Sequence, residues 1–172
     1  FNSGGESSAL YKSVDGGKNW KKIHNGFPEG KLGRIAVAIA PSSSNILYAV
    51  IESEIPERKG LYRSEDAGEN WTQMNNDFEL TVRPFYFSRI VVSPHNPDIV
   101  AKAGLSGSMS RDGGKTFRAL PGNIHADIHD FEFHPTDKDR IYLGCDGGVY
   151  MSYDGGNSWA MSMNLPLSQY YH

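Results

Sequence analysis

The sequence predicts an all-β protein built from repeated four-stranded antiparallel units, on three observations. An octapeptide with fixed Ser, Asp, Gly and aromatic positions recurs four times in 172 residues. Between its copies, a pair of strand-like apolar runs joined by a proline-bearing turn recurs three times. No window shows the sustained 3.6-residue periodicity of an amphipathic helix. The 19 glycines and 9 prolines agree with many turns between short strands.

The octapeptide has the form Ser-x-Asp-x-Gly-x-x-aromatic, and its copies recur roughly every 45 residues. Ser and Asp side chains accept hydrogen bonds from nearby backbone N–H groups, and Gly adopts the positive φ that a tight turn requires. Strand-like runs lie on both sides of each copy, so each octapeptide is predicted to form a hairpin between two antiparallel strands. The predicted structural residues are Ser13, Asp15, Gly17, Trp20, Ser64, Asp66, Gly68, Trp71, Ser110, Asp112, Gly114, Phe117, Ser152, Asp154, Gly156 and Trp159.

The second repeated pattern supplies two more strands to each unit. Residues two and four before the prolines Pro41, Pro94 and Pro135 are apolar in all three units. In the first two units the residue between them is also apolar or small, which is typical of a sheet covered on both faces. The predicted strand pairs are 34–40 with 46–51, 88–93 with 99–103, and 130–134 with 140–144. Four strands in a unit of about 45 residues match one blade of a β-propeller.

The pattern divides the chain into blades. We predict a partial blade at 1–30, three complete blades at about 31–76, 84–121 and 126–165, and the start of a further blade at 166–172. A propeller closes with about four to eight blades. An open array would expose sheet edges and apolar faces. We therefore expect the remaining blades of the same propeller as partners of this segment.

Composition narrows the classes of function. The net charge of −3 argues against a nucleic-acid partner, which would require a basic stripe. No apolar run is long enough for a membrane-spanning helix. The single cysteine, Cys145, excludes a disulfide framework within this segment and is expected to be a small buried strand residue. No metal or cofactor is predicted.

The four octapeptides resemble the Asp-box, or bacterial neuraminidase, repeat. The surrounding texture, as in GRIAVAIAP, DIHDFEFHP and DGGVYMSYDGGNSW, is similar to that of large secreted bacterial proteins of sortilin-like and glycosyl-hydrolase-like type. The resemblance covers essentially the whole chain and implies a secreted, periplasmic or cell-surface location. It also implies that the octapeptides lie between the third and fourth strands of a blade, away from the usual binding face. It is specific for fold rather than function, because propellers host many activities.

One blade carries an insertion on the opposite face. The proline-to-serine separation is 23 residues from Pro41 to Ser64, but 16 in the second unit and 17 in the third. The additional residues lie at 52–60 and include Glu52 and Glu54. An insertion confined to one face of a repeat array often marks a binding face. The alternative is a solvated charged loop.

A polar cluster precedes the third proline. In an extended chain His125, Asp127 and His129 would share one side, since side chains alternate along a strand. Such a comb has the chemistry to bind a metal or relay protons, or it is simply a hydrogen-bonded loop. A further His or Cys at ligand spacing is absent, so a metal site is not predicted. Asp146, in a loop of the same blade, is expected to approach this cluster.

Alignment on the strand prolines places Arg89 and Asp130 at equivalent positions of neighbouring blades, which predicts an ion pair near the propeller axis. The pair could alternatively line a polar axial pocket. Arg34, Arg83 and Arg89 invite comparison with the arginine clamp of sialidases, although no tyrosine nucleophile is assigned. Tyr86 is a candidate for stacking on a ligand.

Three functions stay open. The first is a scaffold that binds a protein, peptide or glycan on the loop face, and we favour it because most recognisable residues serve the fold. The second is a glycoside hydrolase with two carboxylates about 5 to 9.5 Å apart. The third is an architectural module of a surface complex. Catalytic candidates are Asp127, Asp130 and Asp146; ligand-binding candidates are Arg34, Glu52, Glu54, Tyr86, Arg89, His125 and His129.

Overall fold

The computed structural model describes residues 4–82 and 88–165. In these ranges the chain forms short strands and two 3-10 turns, Pro56–Arg58 and Phe78–Thr81, without an α-helix. The strands are β1 (Tyr11–Lys12), β2 (Lys21–Lys22), β3 (Leu32–Ile39), β4 (Leu47–Ser53), β5 (Gly60–Ser64), β6 (Thr72–Asn75), β7 (Arg89–Val92), β8 (Val100–Ala103), β9 (Ser108–Ser110), β10 (Arg118–Ala119), β11 (Ile128–Phe133), β12 (Ile141–Cys145), β13 (Gly148–Ser152) and β14 (Ala160–Met161).

Sequential strands pair into four antiparallel sheets. We call β3–β6 blade A, β7–β10 blade B and β11–β14 blade C; each is a four-stranded sheet whose order follows the chain. Strands β1 and β2 form a two-stranded sheet, which with residues up to 31 we call the first unit. The all-β prediction of four-stranded antiparallel propeller blades is confirmed. Observed strand ends differ from the predicted ones by a few residues.

The first strands of the blades lie side by side. Strand β3 contacts β7, and β7 contacts β11, as expected for strands that surround a propeller axis. The opposite edge of each sheet, formed by β6, β10 or β14, lies at the periphery. The connections before β3, β7 and β11 therefore share one end of the blades with the β4–β5, β8–β9 and β12–β13 connections. We call this the loop end; the octapeptides and proline-bearing turns occupy the other, octapeptide end.

Each blade interface is a separate hydrophobic core. Phe27 of the first unit packs on Tyr62 and Trp71 of blade A, with ring centroids 5.8 and 5.0 Å apart. Alternate residues of β4 face opposite neighbours: Ile51 packs toward the first unit, and Tyr48 packs toward blade B. Burial of each large apolar side chain contributes about 1.5–3 kcal/mol, so stacking of the blades stabilises them.

The octapeptide glycine meets the preceding blade. Gly114 has a φ of +87°, and a Cβ there would lie 2.3 Å from Cδ2 of Leu61 in blade A. Both the backbone conformation and the close approach therefore require glycine.

Coverage is incomplete beside the first unit, which supplies only two strands in the described ranges. Val37 and Ile39, two of the apolar residues that precede Pro41, are 41% and 56% exposed, whereas their counterparts in blades B and C are buried. The octapeptide ring of the first unit, Trp20, is 62% exposed, whereas Trp71 of blade A is 4% exposed. Exposure at an equivalent position thus depends on whether a sheet lies against it.

Candidate functional site

The four octapeptides form the same hydrogen-bonded hairpin, as predicted. In blade A the N–H groups of Asp66 and Gly68 donate to Ser64 Oγ, and the backbone and side-chain amides of Asn70 donate to the two oxygens of Asp66. The other copies repeat the pattern, with Thr or Ser replacing Asn in blades B and C. Because these donors stabilise the ionised carboxylate, the side-chain bond from Asn70 most strongly, the pKa of Asp66 falls from 3.8 to about 2.

The hairpins also attach to the proline-bearing turns. The residue after the octapeptide Asp donates its N–H to the carbonyl four residues past the strand proline: Ala67 to Asn45, Gly113 to Asp98 and Gly155 to Asp139. Both oxygens of every octapeptide Asp are thus engaged in local hydrogen bonds. The octapeptide carboxylates therefore hold the hairpins together.

The loop end opens into a groove along the first strands. The groove has a volume of about 440 Å³ and is lined by β3, β7 and His129 of β11. Arg34, Ser88 and Arg89 contribute polar groups near the loop end, and the exposed Val37 and Ile39 form an apolar stretch toward the proline turns. The arrangement combines hydrogen-bond donors with an apolar wall, which is typical of ligand sites.

The predicted Arg89–Asp130 ion pair is present at the mouth of this groove. Arg89 Nε lies 2.7 Å from Asp130 Oδ1, which also accepts the N–H of Phe131 at 2.8 Å. The Arg89 side chain is 45% exposed and that of Asp130 is 29% exposed. Solvent therefore screens the pair, which stabilises the fold by no more than about 1 kcal/mol. It holds the guanidinium in place without removing it from solvent.

A second pair joins His129 to Asp146, as expected from their predicted proximity. His129 Nε2 lies 2.7 Å from Asp146 Oδ1, connecting β11 to the β12–β13 turn. The His129 side chain is 6% exposed, whereas that of Asp146 is 42% exposed. The carboxylate fixes the orientation of the imidazole and is itself reachable by a molecule at the loop end.

The predicted comb of residues 125, 127 and 129 is wrong. Asp127 has a φ of 59°, so alternation of side chains is interrupted just before β11 begins at Ile128. The His125 ring instead bonds the carbonyl of Ala126, and the backbone of Asp127 bonds Leu105 and Asp146. Asp tolerates the left-handed region better than most residues, which permits this turn.

The insertion uses its carboxylates to hold backbone. Glu52 is buried and accepts the N–H of Arg34 at 3.2 Å, and Glu54 Oε1 accepts the N–H of Lys31 at 2.7 Å. These two ligand-binding candidates therefore fasten the β4–β5 connection to the segment that enters β3. Arg34 itself remains exposed at the loop end.

The remaining residues singled out in the sequence are Tyr86, Arg83 and Cys145. Tyr86 and Arg83 lie outside the described residues. Cys145 is buried in β12, where burial raises the pKa of its thiol.

Within residues 4–82 and 88–165, no group of three or more His, Cys, Asp or Glu side chains is placed to hold a metal ion. In the same ranges no helix has the length and apolarity needed to cross a membrane.

Sequence reasoning missed Lys102, which is 1% exposed in β8 between blades A and B. Its ammonium group donates to the carbonyl of Ala103 at 2.5 Å. Desolvation lowers the pKa of Lys102 to about 8, with a weaker opposing effect from the Glu79 carboxylate. The available signal was a lysine within the apolar strand Val100–Ala103.

Comparison with known proteins supports the fold. No protein-family model matches the chain. An oligoxyloglucan-reducing end-specific xyloglucanase of Emericella nidulans is 26% identical over 164 aligned positions, and the match covers 83% of this chain and 19% of that protein. The chain therefore spans about a fifth of the length of this curated relative.

Solved structures give the same result. The GH74 enzyme of Niastella koreensis superposes with a TM-score of 0.62 and 21% identity over 75% of this chain and 22% of that chain. An ancestral GH74 enzyme gives a TM-score of 0.63 and 20% identity over 90% of this chain and 21% of that chain. The chain is thus a β-propeller segment whose fold is shared with glycoside hydrolases.

Proposed function

We propose that this chain is part of a secreted or cell-surface β-propeller that binds a glycan or a protein segment at its loop end, as a scaffold rather than a catalyst. The observation that carries the proposal is the engagement of three loop-end acids. Asp130 pairs with Arg89, and Glu52 and Glu54 accept backbone N–H groups. A glycosidase instead needs two carboxylates that face each other across a cleft.

The proposal includes the identity of the repeat. The octapeptides are Asp-box repeats of the sortilin-like and glycosyl-hydrolase-like class, and the blades extend over about 31–76, 84–121 and 126–165. Their engaged carboxylates support a structural role. Residues 166–172, which the sequence predicts to begin a further blade, lie outside the described residues, and we expect the remaining blades to complete the ring.

The binding site is the groove along β3 and β7. Arg34 and Arg89 supply donors for hydroxyl or carboxylate groups, Val37 and Ile39 supply an apolar wall, and His129 lines the groove while bonded to Asp146. His125 contributes from the connection that precedes β11. Tyr86, which lies outside the described residues, stays a candidate for stacking on the ligand. Similarity to a xyloglucanase supports a glycan as the ligand to test first.

The experiment is a screen of the full-length chain against a glycan array that includes xyloglucan oligosaccharides, followed by calorimetry of any ligand found. Arg89→Ala should weaken binding at least tenfold, because a guanidinium–ligand hydrogen bond is lost. Arg118→Ala, which removes an exposed arginine from β10, is the control and should bind as the unchanged protein does. Equal affinity of the two variants would contradict the proposed site.

A second candidate function, glycoside hydrolysis, is favoured by one feature of the loop end. Asp146 is oriented by His129 and is 42% exposed, as a carboxylate that acts on a bound sugar must be. A second carboxylate would come from Asp127, Asp130 or another blade. Release of reducing ends from xyloglucan by the full-length chain, abolished by Asp146→Asn, would establish this function in place of the scaffold.

A further inference from the structure

A second cleft lies at the loop end between the first unit and blade A, apart from the groove. Its volume is about 710 Å³, within the range of roughly 300–1,000 Å³ typical of ligand sites. Residues 22–30 of the first unit form one wall, and Ile55 and Arg58 of the insertion contribute to the other. None of the described residues proposed for the groove lines this cleft.

The insertion wall is held in place before any ligand arrives. Tyr62 donates its hydroxyl to the carbonyl of Arg58 at 2.6 Å. The Gln73 side-chain amide donates to the carbonyls of Glu57 and Lys59 at 3.0 and 3.2 Å. Because the loop is already ordered, a ligand would lose little affinity to loop ordering.

The opposite wall is fixed by close backbone packing. Gly26 has a φ of +83°, and a Cβ there would lie 1.8 Å from the carbonyl oxygen of Trp71. The Trp71 N–H donates to the carbonyl of Asn25 at 3.0 Å. The connection between β2 and β3 therefore rests directly on blade A. Both walls keep their separation through contacts with the same blade.

The lining of the cleft combines buried apolar side chains with two cationic side chains. Ile23, Phe27 and Leu32 are buried at the floor, and Ile55 is 37% exposed beside them. At the rim, neither the Lys22 ammonium nor the Arg58 guanidinium forms an ion pair with a carboxylate of the described ranges. Glu29 is the single carboxylate among the lining residues, and the carboxylate of Glu54, beside Gly30, accepts the N–H of Lys31. Lys22 and Arg58 are therefore the charged groups of the cleft that can meet an anionic ligand.

We propose that this cleft binds an acidic peptide segment of another protein, with a Glu or Asp near Lys22 and Arg58 and an aliphatic side chain against Ile55. A sugar fits less well, because sugar rings stack on exposed aromatic faces. The Phe27 ring is 6% exposed and packs on Tyr62 and Trp71. Opposite charges across such a surface favour association and orient the partner.

The test is fluorescence anisotropy with the full-length chain and a set of fluorescein-labelled decapeptides, each placing Glu or Asp beside Leu, Ile or Val. We expect at least one peptide to bind, and its Gln or Asn counterpart to bind at least tenfold more weakly. Arg58→Gln and Ile55→Ser should each weaken binding at least tenfold without changing the thermal unfolding midpoint. Arg118→Gln is the control for Arg58→Gln, because it also removes one exposed arginine, and it should leave the affinity for the peptide unchanged.

Three results would overturn the assignment. The first is that no acidic peptide binds, and the second is that both Arg58→Gln and Ile55→Ser bind the peptide as tightly as the unchanged protein. The third is that oligogalacturonate, an acidic glycan, displaces the peptide when the two are compared at equal concentrations of carboxylate groups. The proposal does not rest on the function assigned to the groove. Arg89→Ala should leave peptide binding intact, so failure of one site is separable from failure of the other.

Discussion

The octapeptide end and the loop end of the blades differ in how they use polar side chains. At the octapeptide end, the same Ser and Asp bonds recur in every copy, and neighbouring backbone satisfies them within five residues. At the loop end each blade is different: blade A has an insertion, blade B presents Arg89, and blade C presents the His129–Asp146 pair. The residues that repeat from blade to blade stabilise the fold, and the residues that differ between blades form the candidate sites.

This comparison implies that substitutions at the two ends should have different consequences. Polar and aromatic groups at the octapeptide end are mostly buried or locally bonded, so their loss should reduce the free energy of unfolding. Arg34, Arg89 and Asp146 at the loop end are exposed or partly exposed, so their loss should change binding with little change in stability.

The largest loss of stability should follow Trp71→Ala. The ring is 4% exposed, packs on Phe27, and donates its Nε1–H to the Gly68 carbonyl at 3.0 Å. Removing it should reduce the free energy of unfolding by about 3–5 kcal/mol, measured by chemical denaturation. Tyr153→Ala is the control, because that ring is 61% exposed at the same end. Similar losses for both rings would contradict a distinction based on burial.

A smaller loss should follow Ser64→Ala. Its hydroxyl accepts the N–H groups of Asp66 and Gly68, and the Gly68 N–H is buried. Leaving that donor without a partner should reduce the free energy of unfolding by about 1–3 kcal/mol. Ser13→Ala removes the same bonds from an exposed hairpin, where water can replace them, so a smaller effect is expected.

Acid should destabilise the octapeptide end. The pKa of Asp66 is about 2 in the folded chain and 3.8 ordinarily, so its contribution is complete above about pH 4 and is lost as the pH falls toward 2. Asp66→Asn should therefore flatten the dependence of the unfolding midpoint on pH between about 4 and 2. An unchanged slope in that interval would show that the carboxylate is not held in its ionised form.

The smallest stability effect should come from Arg89→Ala at the loop end. The pair with Asp130 is partly exposed, so the free energy of unfolding should change by less than about 1 kcal/mol. Ligand binding at the groove should nevertheless decrease at least tenfold. If Arg89→Ala instead greatly reduced the free energy of unfolding and left ligand affinity unchanged, Arg89 would serve the fold rather than binding, which would contradict the distinction between the two ends.

The sequence predicted the octapeptide hairpins because their bonds join residues at most four positions apart, for example Ser64 to Gly68. It also predicted the Arg89–Asp130 pair, because alignment on the prolines gave the register of neighbouring first strands. Contacts between residues of different blades were harder to predict from the sequence. Trp20 and Trp71 occupy the same motif position, yet their exposure is decided by which sheet lies against them.

The loop end was harder to predict for a related reason. The comb at residues 125–129 failed because one left-handed residue, Asp127, reverses the alternation on which it depended. Residue type alone did not reveal that Glu52 and Glu54 hold backbone N–H groups, because a carboxylate can serve a ligand or a loop equally well. The cleft beside Arg58 depends on how two units pack and has no motif of its own.

The chain-order pairing of strands within each blade has a consequence for synthesis. Within the described residues, the strands of blades A, B and C pair with their neighbours along the chain, and the additional bridge, from Gly5 to Leu32 of β3, comes from an earlier segment. A blade therefore needs no later segment to complete its sheet. Short loops close rapidly, and domains form as they leave the ribosome. Blades B and C can therefore each assemble on the surface of the blade that formed before them.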